Sequence, residues 1–174
     1  QTIIVMLIKV RILFLVIVFS LIFDLSFAAD TTVNTALTSS DDEIIMSSND
    51  TVTITSSGSI IVNQNNNLGL IKLPGGTSNL TIINSGTLQV GIYEEVGSSG
   101  NQHNTISSYG AENITIINNG VISAGRSRAL SLADAQGDIT ITNNAGAMIS
   151  ARGHNNFAVI QLNTAGNATA GDII

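Results

Sequence analysis

The acidic side chains are the best candidates for chemistry in this chain, because two carboxylates held at a set separation can cleave a glycosidic bond. The candidates are Asp41 to Glu43, the pair Glu94 and Glu95, and Asp134. The first group precedes the clear repeats, where a polar cap is expected. None of these carboxylates recurs at a spacing that would hold a pair on one face, so we predict no catalytic residue and no enzyme in this chain.

Histidines and glycines provide no better site. His103 and His154 lie in polar linking stretches without a spaced His, Asp or Glu partner, so no metal site is expected. The serines form no Gly-x-Ser-x-Gly elbow, and no phosphate-binding glycine loop or calcium-binding glycine repeat is present. We therefore expect no cofactor.

One strand-turn-strand pattern recurs along the chain: apolar, Thr, Ile, any residue, two small polar residues, Gly, then alternating apolar positions. It begins at residues 52, 80, 114 and 139, so successive starts are 28, 34 and 25 residues apart. Shorter apolar runs at 70–73, 129–132 and 159–162, with a weaker one at 104–107, fall between the copies. A period of 20–50 residues indicates a solenoid or an array.

Two folds compete for this pattern. Asn119-Gly120 is a hairpin signal, which favours a sandwich or propeller of antiparallel strands. In a parallel solenoid the same dipeptide is a corner, and equivalent residues of successive coils stack. The solenoid explains why one residue class recurs at each place, so we predict an all-β, right-handed parallel β-helix with about three short strands per coil.

Stacking the copies predicts columns of like residues. Two columns should point inward: Ile54, Ile82, Ile116 and Ile141, and Ile60, Leu88, Ile122 and Ile149. The corner should hold a polar column of Ser56, Asn84, Asn118 and Asn143 and a glycine column of Gly58, Gly86, Gly120 and Gly146. A turn column should contain Asn79, Asn113, Asp138 and Asp172. Asn tolerates the left-handed conformation, and stacked Asn amides can hydrogen-bond to one another.

The first 28 residues have the pattern of a signal peptide. Lys9 and Arg11 precede an apolar run from Ile12 to Phe23, which is short for a membrane span of about 20 residues. Ser26 and Ala28 match the small residues of a cleavage site, so cleavage after Ala28 is expected, with Ala29 as the alternative. An uncleaved membrane anchor is the rival interpretation. Residues 1–5 are expected to be upstream read-through before Met6.

The charge of the mature chain excludes one class of partner. The formal net charge is −6, and removal of Lys9, Arg11 and Asp24 leaves −7. No basic patch could hold a phosphate backbone, so nucleic acid is not an expected partner. The chain has no cysteine, so its stability must come from packing and backbone hydrogen bonds rather than from disulfides.

The chain resembles the N-terminal part of a bacterial autotransporter, a protein of type V secretion. The resemblance lies in the signal peptide, in the Ala-Asp-Thr-Thr stretch at 29–32 and in repeats such as TITNNAGAMISA at 140–151. Autotransporters carry a β-helical passenger to the cell surface through their own C-terminal outer-membrane barrel. The absence of cysteine agrees with passengers that cross the outer membrane unfolded.

This resemblance implies a division of the chain into a signal peptide (1–28), an N-terminal cap region (29–51) and β-helix repeats (52–174) that are truncated at their C-terminal end. It implies secretion to the surface of a Gram-negative bacterium, with a role as a rigid stalk or adhesin scaffold in virulence. Expected partners are its own outer-membrane barrel and a host-cell, extracellular-matrix or carbohydrate surface. The alternative is a polysaccharide-degrading β-helix enzyme with its active site beyond residue 174. Unequal loops at 91–112 and 152–171 would serve the adhesin.

Overall fold

The computed structural model describes residues 28–38, 43–62, 69–91, 104–125, 127–151 and 159–163. Within these ranges the chain forms β-strands and no helix. The strands are β1 Asp30–Val33, β2 Ala36–Leu37, β3 Ile44–Ile45, β4 Thr51–Ile54, β5 Ser59–Val62, β6 Ile71–Leu73, β7 Ser78–Asn84, β8 Thr87–Val90, β9 Ile106–Ser108, β10 Glu112–Asn118, β11 Val121–Ala124, β12 Leu130–Ala133, β13 Gln136–Asn143, β14 Met148–Ala151 and β15 Ile160–Asn163.

The strands form three parallel sheets with five strands each. Sheet A has the order β1-β4-β7-β10-β13, sheet B the order β2-β5-β8-β11-β14, and sheet C the order β3-β6-β9-β12-β15. Every third strand along the chain therefore pairs with its predecessor, so three consecutive strands make one coil. The predicted parallel β-helix with three strands per coil is confirmed. Its right-handed winding stays a prediction.

The pairing of β10 decides between the solenoid and the hairpin. β10 lies between β7 and β13 and pairs in parallel with both. Ile116 is level with Ile82 on one side and with Ile141 on the other. The strand after the Asn119-Gly120 corner, β11, belongs to sheet B instead. The dipeptide is therefore a corner between two faces of the coil, and the hairpin interpretation is wrong.

The core consists of apolar columns between the three sheets. Along the strands, buried and partly exposed residues alternate, as in β4 and β5. The column of Ile60, Leu88, Ile122 and Ile149 is confirmed. Strands of sheet C form within one or two residues of the apolar runs predicted at 70–73, 104–107, 129–132 and 159–162.

The register of the first repeat differs from the prediction by two residues. Val52, not Ile54, is level with Ile82, and Ile54 is level with Asn84. The cause is the length of the corner: four residues separate β4 from β5, whereas two separate β7 from β8. Aligning the first two copies at Gly58 and Gly86 therefore matches sheet B correctly and shifts sheet A in the first repeat.

Corner length also changes two other predicted columns. Ser56 lies in the long first corner and is exposed, so it does not join the asparagines. The last corner is long as well, and Ala147 rather than Gly146 takes the place level with Gly120. Gly146 has φ +83° and is exposed.

Region 29–51 contains a coil of its own. β1, β2 and β3 pair with β4, β5 and β6, respectively. Within the described residues, the first strand of the β-helix begins at Asp30, about twenty residues before the first repeat that is clear in the sequence. Residues 1–27, which hold most of the predicted signal peptide, lie outside the described residues.

Candidate functional site

The acidic residues considered as catalytic candidates do not lie close together within the described part of the chain. Glu43 forms an ion pair with Lys72, with 2.6 Å between Oε2 and Nζ. Asp134 has φ +62° and is exposed in the turn after β12, and Asp138 is exposed on β13. Within the described ranges no group of three His, Cys, Asp or Glu side chains could hold a metal ion. Lying outside the described residues are Asp41, Asp42, Glu94, Glu95, His103, His154 and Asp172, as well as most of the two loops at 91–112 and 152–171.

A ladder of asparagine side chains runs through the corner between sheets A and B. Asn84 and Asn118 are fully buried there. The Asn84 Nδ2 donates to Asn118 Oδ1 at 2.8 Å, and the Asn118 Nδ2 donates to Asn143 Oδ1 at 2.7 Å. The polar corner predicted from the sequence is therefore confirmed for these three residues.

Each rung of the ladder also serves the backbone of its corner. The Asn118 Oδ1 accepts from Gly120 N at 3.2 Å, and its Nδ2 donates to the Met148 carbonyl of the next coil at 3.1 Å. Asn84 makes the equivalent bonds to Gly86 N and to the Val121 carbonyl. A buried amide is tolerated only where its donors and acceptors are paired, so the ladder favours one register between coils.

A second ladder lies on the surface, at the corner that leads into sheet A. Asn49, Asn79 and Asn113 all have positive φ, at 68°, 57° and 53°. Asn79 Nδ2 donates to Asn49 Oδ1 at 3.0 Å, and Asn113 Nδ2 donates to Asn79 Oδ1 at 3.3 Å. The predicted turn column is thus confirmed for Asn79 and Asn113.

In the next coil this ladder ends at a backbone group. Asp138 N donates to Asn113 Oδ1 at 3.1 Å, and Gly137 adopts the positive φ of 66°. A Cβ on Gly137 would overlap Asn113 Oδ1, so a larger residue there would displace the Asn113 side chain from this bond.

The outer surface of sheet A carries two regular columns. The first contains Thr51, Thr81, Thr115 and Thr140, and the second contains Thr53, Ile83, Ile117 and Thr142. Neighbouring strands of a sheet lie about 4.8 Å apart, so hydroxyl and methyl groups repeat at this interval. We call these eight residues the threonine face.

The threonine face is more regular than the outer surface of sheet B. Its columns contain no charged side chain, although Asp30 of β1 continues the first column at one end. The equivalent column on sheet B is irregular, with Ser59, Thr87, Val121 and Met148. Such a face can make repeated, uncharged contacts.

The signal for this surface was present in the sequence as Asn-x-Thr. Asn49-Asp-Thr51, Asn79-Leu-Thr81 and Asn113-Ile-Thr115 match the N-glycosylation acceptor. In the structure each triplet places an Asn at the surface corner and a Thr in the first column. The recurrence therefore has a structural cause: the corner needs a residue that tolerates positive φ, and the strand needs a β-branched outer residue.

Comparison with protein-family models, with curated proteins and with solved structures finds no match to this chain. The resemblance to an autotransporter passenger therefore stays a prediction. Within the described residues there is no helix long and apolar enough to span a membrane.

Proposed function

We propose that this chain is part of an exported β-helical passenger that holds a binding surface away from a bacterial cell as a stiff stalk. The observation that supports this is the continuity of all three sheets. Five strands in each sheet, stacked in register, span about 19 Å at about 4.8 Å per coil. Each coil added to such a stack lengthens it by the same amount.

Stiffness follows from how neighbouring coils are joined. Every described coil contacts the next through backbone pairing on three faces and through the apolar columns between them. The buried asparagine ladder adds side-chain bonds along the same axis. Bending the rod would open one of the three sheets, so a straight form is favoured.

Adhesion, if the stalk also binds, has a suitable surface in the threonine face. Uncharged Thr and Ile side chains present both methyl and hydroxyl groups, so a neutral surface such as a carbohydrate is a suitable partner. The net charge of −6 opposes binding to an anionic polymer. Such an adhesin would bind weakly at each coil and gain affinity from repetition.

The stalk proposal can be tested by inserting extra coils into the natural gene and expressing the protein in a Gram-negative host. Residues 114–138 form one complete repeat, because the next copy begins at Ile139. Ten additional copies should lengthen the exported protein by about 48 Å, measured as the distance from an epitope at the N-terminus to the outer membrane. The increase should be linear in the number of copies.

The matched control replaces the inserted copies by a Gly/Ser linker with the same number of residues. A flexible chain of n residues has an end-to-end distance that grows with the square root of n, at about 5–6 Å × √n. If the inserted coils follow the square root as the linker does, the stalk proposal is wrong. Protein that remains inside the cell would contradict the export part of the proposal.

A further inference from the structure

Asp50 is the one acidic side chain that is buried among the described residues, at 7% exposure. It ends the turn before β4, and its main-chain carbonyl accepts from Thr81 N on the following coil at 3.0 Å. Among the described residues, no Lys, Arg or His side chain forms an ion pair with Asp50. A buried carboxylate without a cation is unfavourable unless its oxygens are hydrogen-bonded.

Both carboxylate oxygens of Asp50 accept a backbone N–H. Ser47 N donates to Oδ2 at 2.7 Å within the turn. Ala29 N donates to Oδ1 at 2.8 Å, across 21 residues. The second contact follows from the register of the first coil: Asp30 is level with Thr51, so residue 29 comes level with residue 50.

Ala29 is the residue that the sequence predicts to be the first of the mature protein. Ser26 and Ala28 have the small side chains that a signal peptidase requires before the cleaved bond. Hydrolysis breaks the bond between the Ala28 carbonyl carbon and the Ala29 nitrogen. Water supplies the hydroxyl of the new Ala28 carboxyl and a hydrogen to the Ala29 nitrogen, which takes one more proton from solvent near neutral pH.

We propose that Asp50 is the receptor for the free α-ammonium group of Ala29, and that this ion pair fixes the first coil after cleavage. The inference rests on the proposed export. An amide N–H at this position donates from a neutral group to the carboxylate, whereas the ammonium is itself charged and adds the attraction of an ion pair in a partly buried place. The pair neutralises the buried carboxylate and holds β1 against β4. The N-terminal end of β1, the first described strand of sheet A, is thereby fixed.

The test compares two forms of the mature chain, 29–174, at low concentration. One has a free amine on Ala29, released by a tag protease, and the other is acetylated at the same nitrogen. Acetylation keeps an N–H donor and removes the charge. We expect the β1 amides to exchange hydrogen about tenfold faster in the acetylated form, by mass spectrometry, because that form lacks the attraction between the ammonium and the carboxylate. Equal exchange in the two forms would overturn the inference.

The Asp50→Asn variant shows whether Asp50 is the partner. In this variant acetylation should no longer change the exchange rate of β1, and a persistent tenfold difference would place the ammonium's partner elsewhere. A second readout needs no variant: the Ala29 amine should react with an amine reagent about tenfold more slowly in the folded chain than in urea. Equal reactivity contradicts the ion pair even if Asp50→Asn fails to fold.

N-terminal sequencing of the exported protein separates this inference from the proposed function. A chain that begins at Ala29 supports both. A chain that begins at Asp30 lacks the Ala29 amine and overturns the inference, while the proposed export stands. Exported protein that still carries Met6 contradicts the cleavable signal on which the inference rests.

Discussion

At the residue scale, single side chains determine whether adjacent coils fit together. Ile116 is fully buried between Ile82 and Ile141. Ile116→Asp should lower the free energy of unfolding by at least the roughly 1.5–3 kcal/mol that burial of the apolar side chain contributes, because it also buries a charge. Thr115→Asp, one position along on the outer surface, should have a small effect. Urea denaturation of both variants measures the difference, and equal losses would contradict the alternation.

The buried asparagine ladder gives a second prediction at the same scale. Asn118→Ala removes the bonds that Asn118 makes to Asn84 Nδ2, Asn143 Oδ1 and Gly120 N. Asn84 Nδ2 keeps its bond to the Val121 carbonyl and Asn143 is exposed, so the main losses are the acceptor of Gly120 N and the donor to the Met148 carbonyl. Each buried group left unsatisfied costs about 1–3 kcal/mol. Asn119→Ala is the matched control, because its side chain is exposed and should change stability by no more than about 0.5 kcal/mol. Similar denaturation midpoints for the two variants would show that the ladder does not stabilise the fold.

At the element scale, the glycine corners determine how closely coils approach. A Cβ on Gly120 would overlap the carbonyl oxygen of Gly86 on the preceding coil. Gly120→Ala should therefore destabilise the chain by more than about 1 kcal/mol, since backbone must shift in two coils. Ala147, level with Gly120 one coil later, shows that a long corner has room for the methyl group. Thermal unfolding measures the effect, and an unchanged midpoint would contradict this packing.

The sequence repeats predict some of the strands and their pairing, but not all of them. The parallel pairing of β7, β10 and β13 follows from repeated Thr-Ile patterns, because in-register stacking is what makes like residues recur. The first coil was missed, since β2 and β3 have two residues each and no copy of the pattern. The two-residue shift at Ile54 does not follow from the sequence, because the corner between β4 and β5 is two residues longer than the corner between β7 and β8. The threonine face was visible only as Asn-x-Thr, whose spacing does not distinguish a glycan acceptor from a corner.

At the scale of the whole molecule, the last described coil is where we expect the isolated chain to associate with other copies. β13, β14 and β15 each lie at the end of the described sheet, and Ile141, Ile149 and Leu162 are only partly buried there. Unpaired strand edges and uncovered apolar columns favour self-association. Isolated 29–174 should form oligomers as its concentration rises, as measured by analytical ultracentrifugation. A monodisperse monomer at high concentration, with a sharp unfolding transition, would indicate that this end is covered.

Cross-linking tests the parallel β-helix most directly, because the chain has no cysteine of its own. Thr81 and Thr115 are level on adjacent parallel strands, within the Cα separation that a disulfide requires. In the parallel β-helix, a Thr81→Cys, Thr115→Cys double variant should oxidise readily to an intramolecular disulfide, detected by mass spectrometry. An antiparallel hairpin across Asn119-Gly120 would instead place residue 115 opposite residue 124. A disulfide that forms in Thr115→Cys, Ala124→Cys but not in the 81–115 pair would contradict the β-helix and the stalk argued from it.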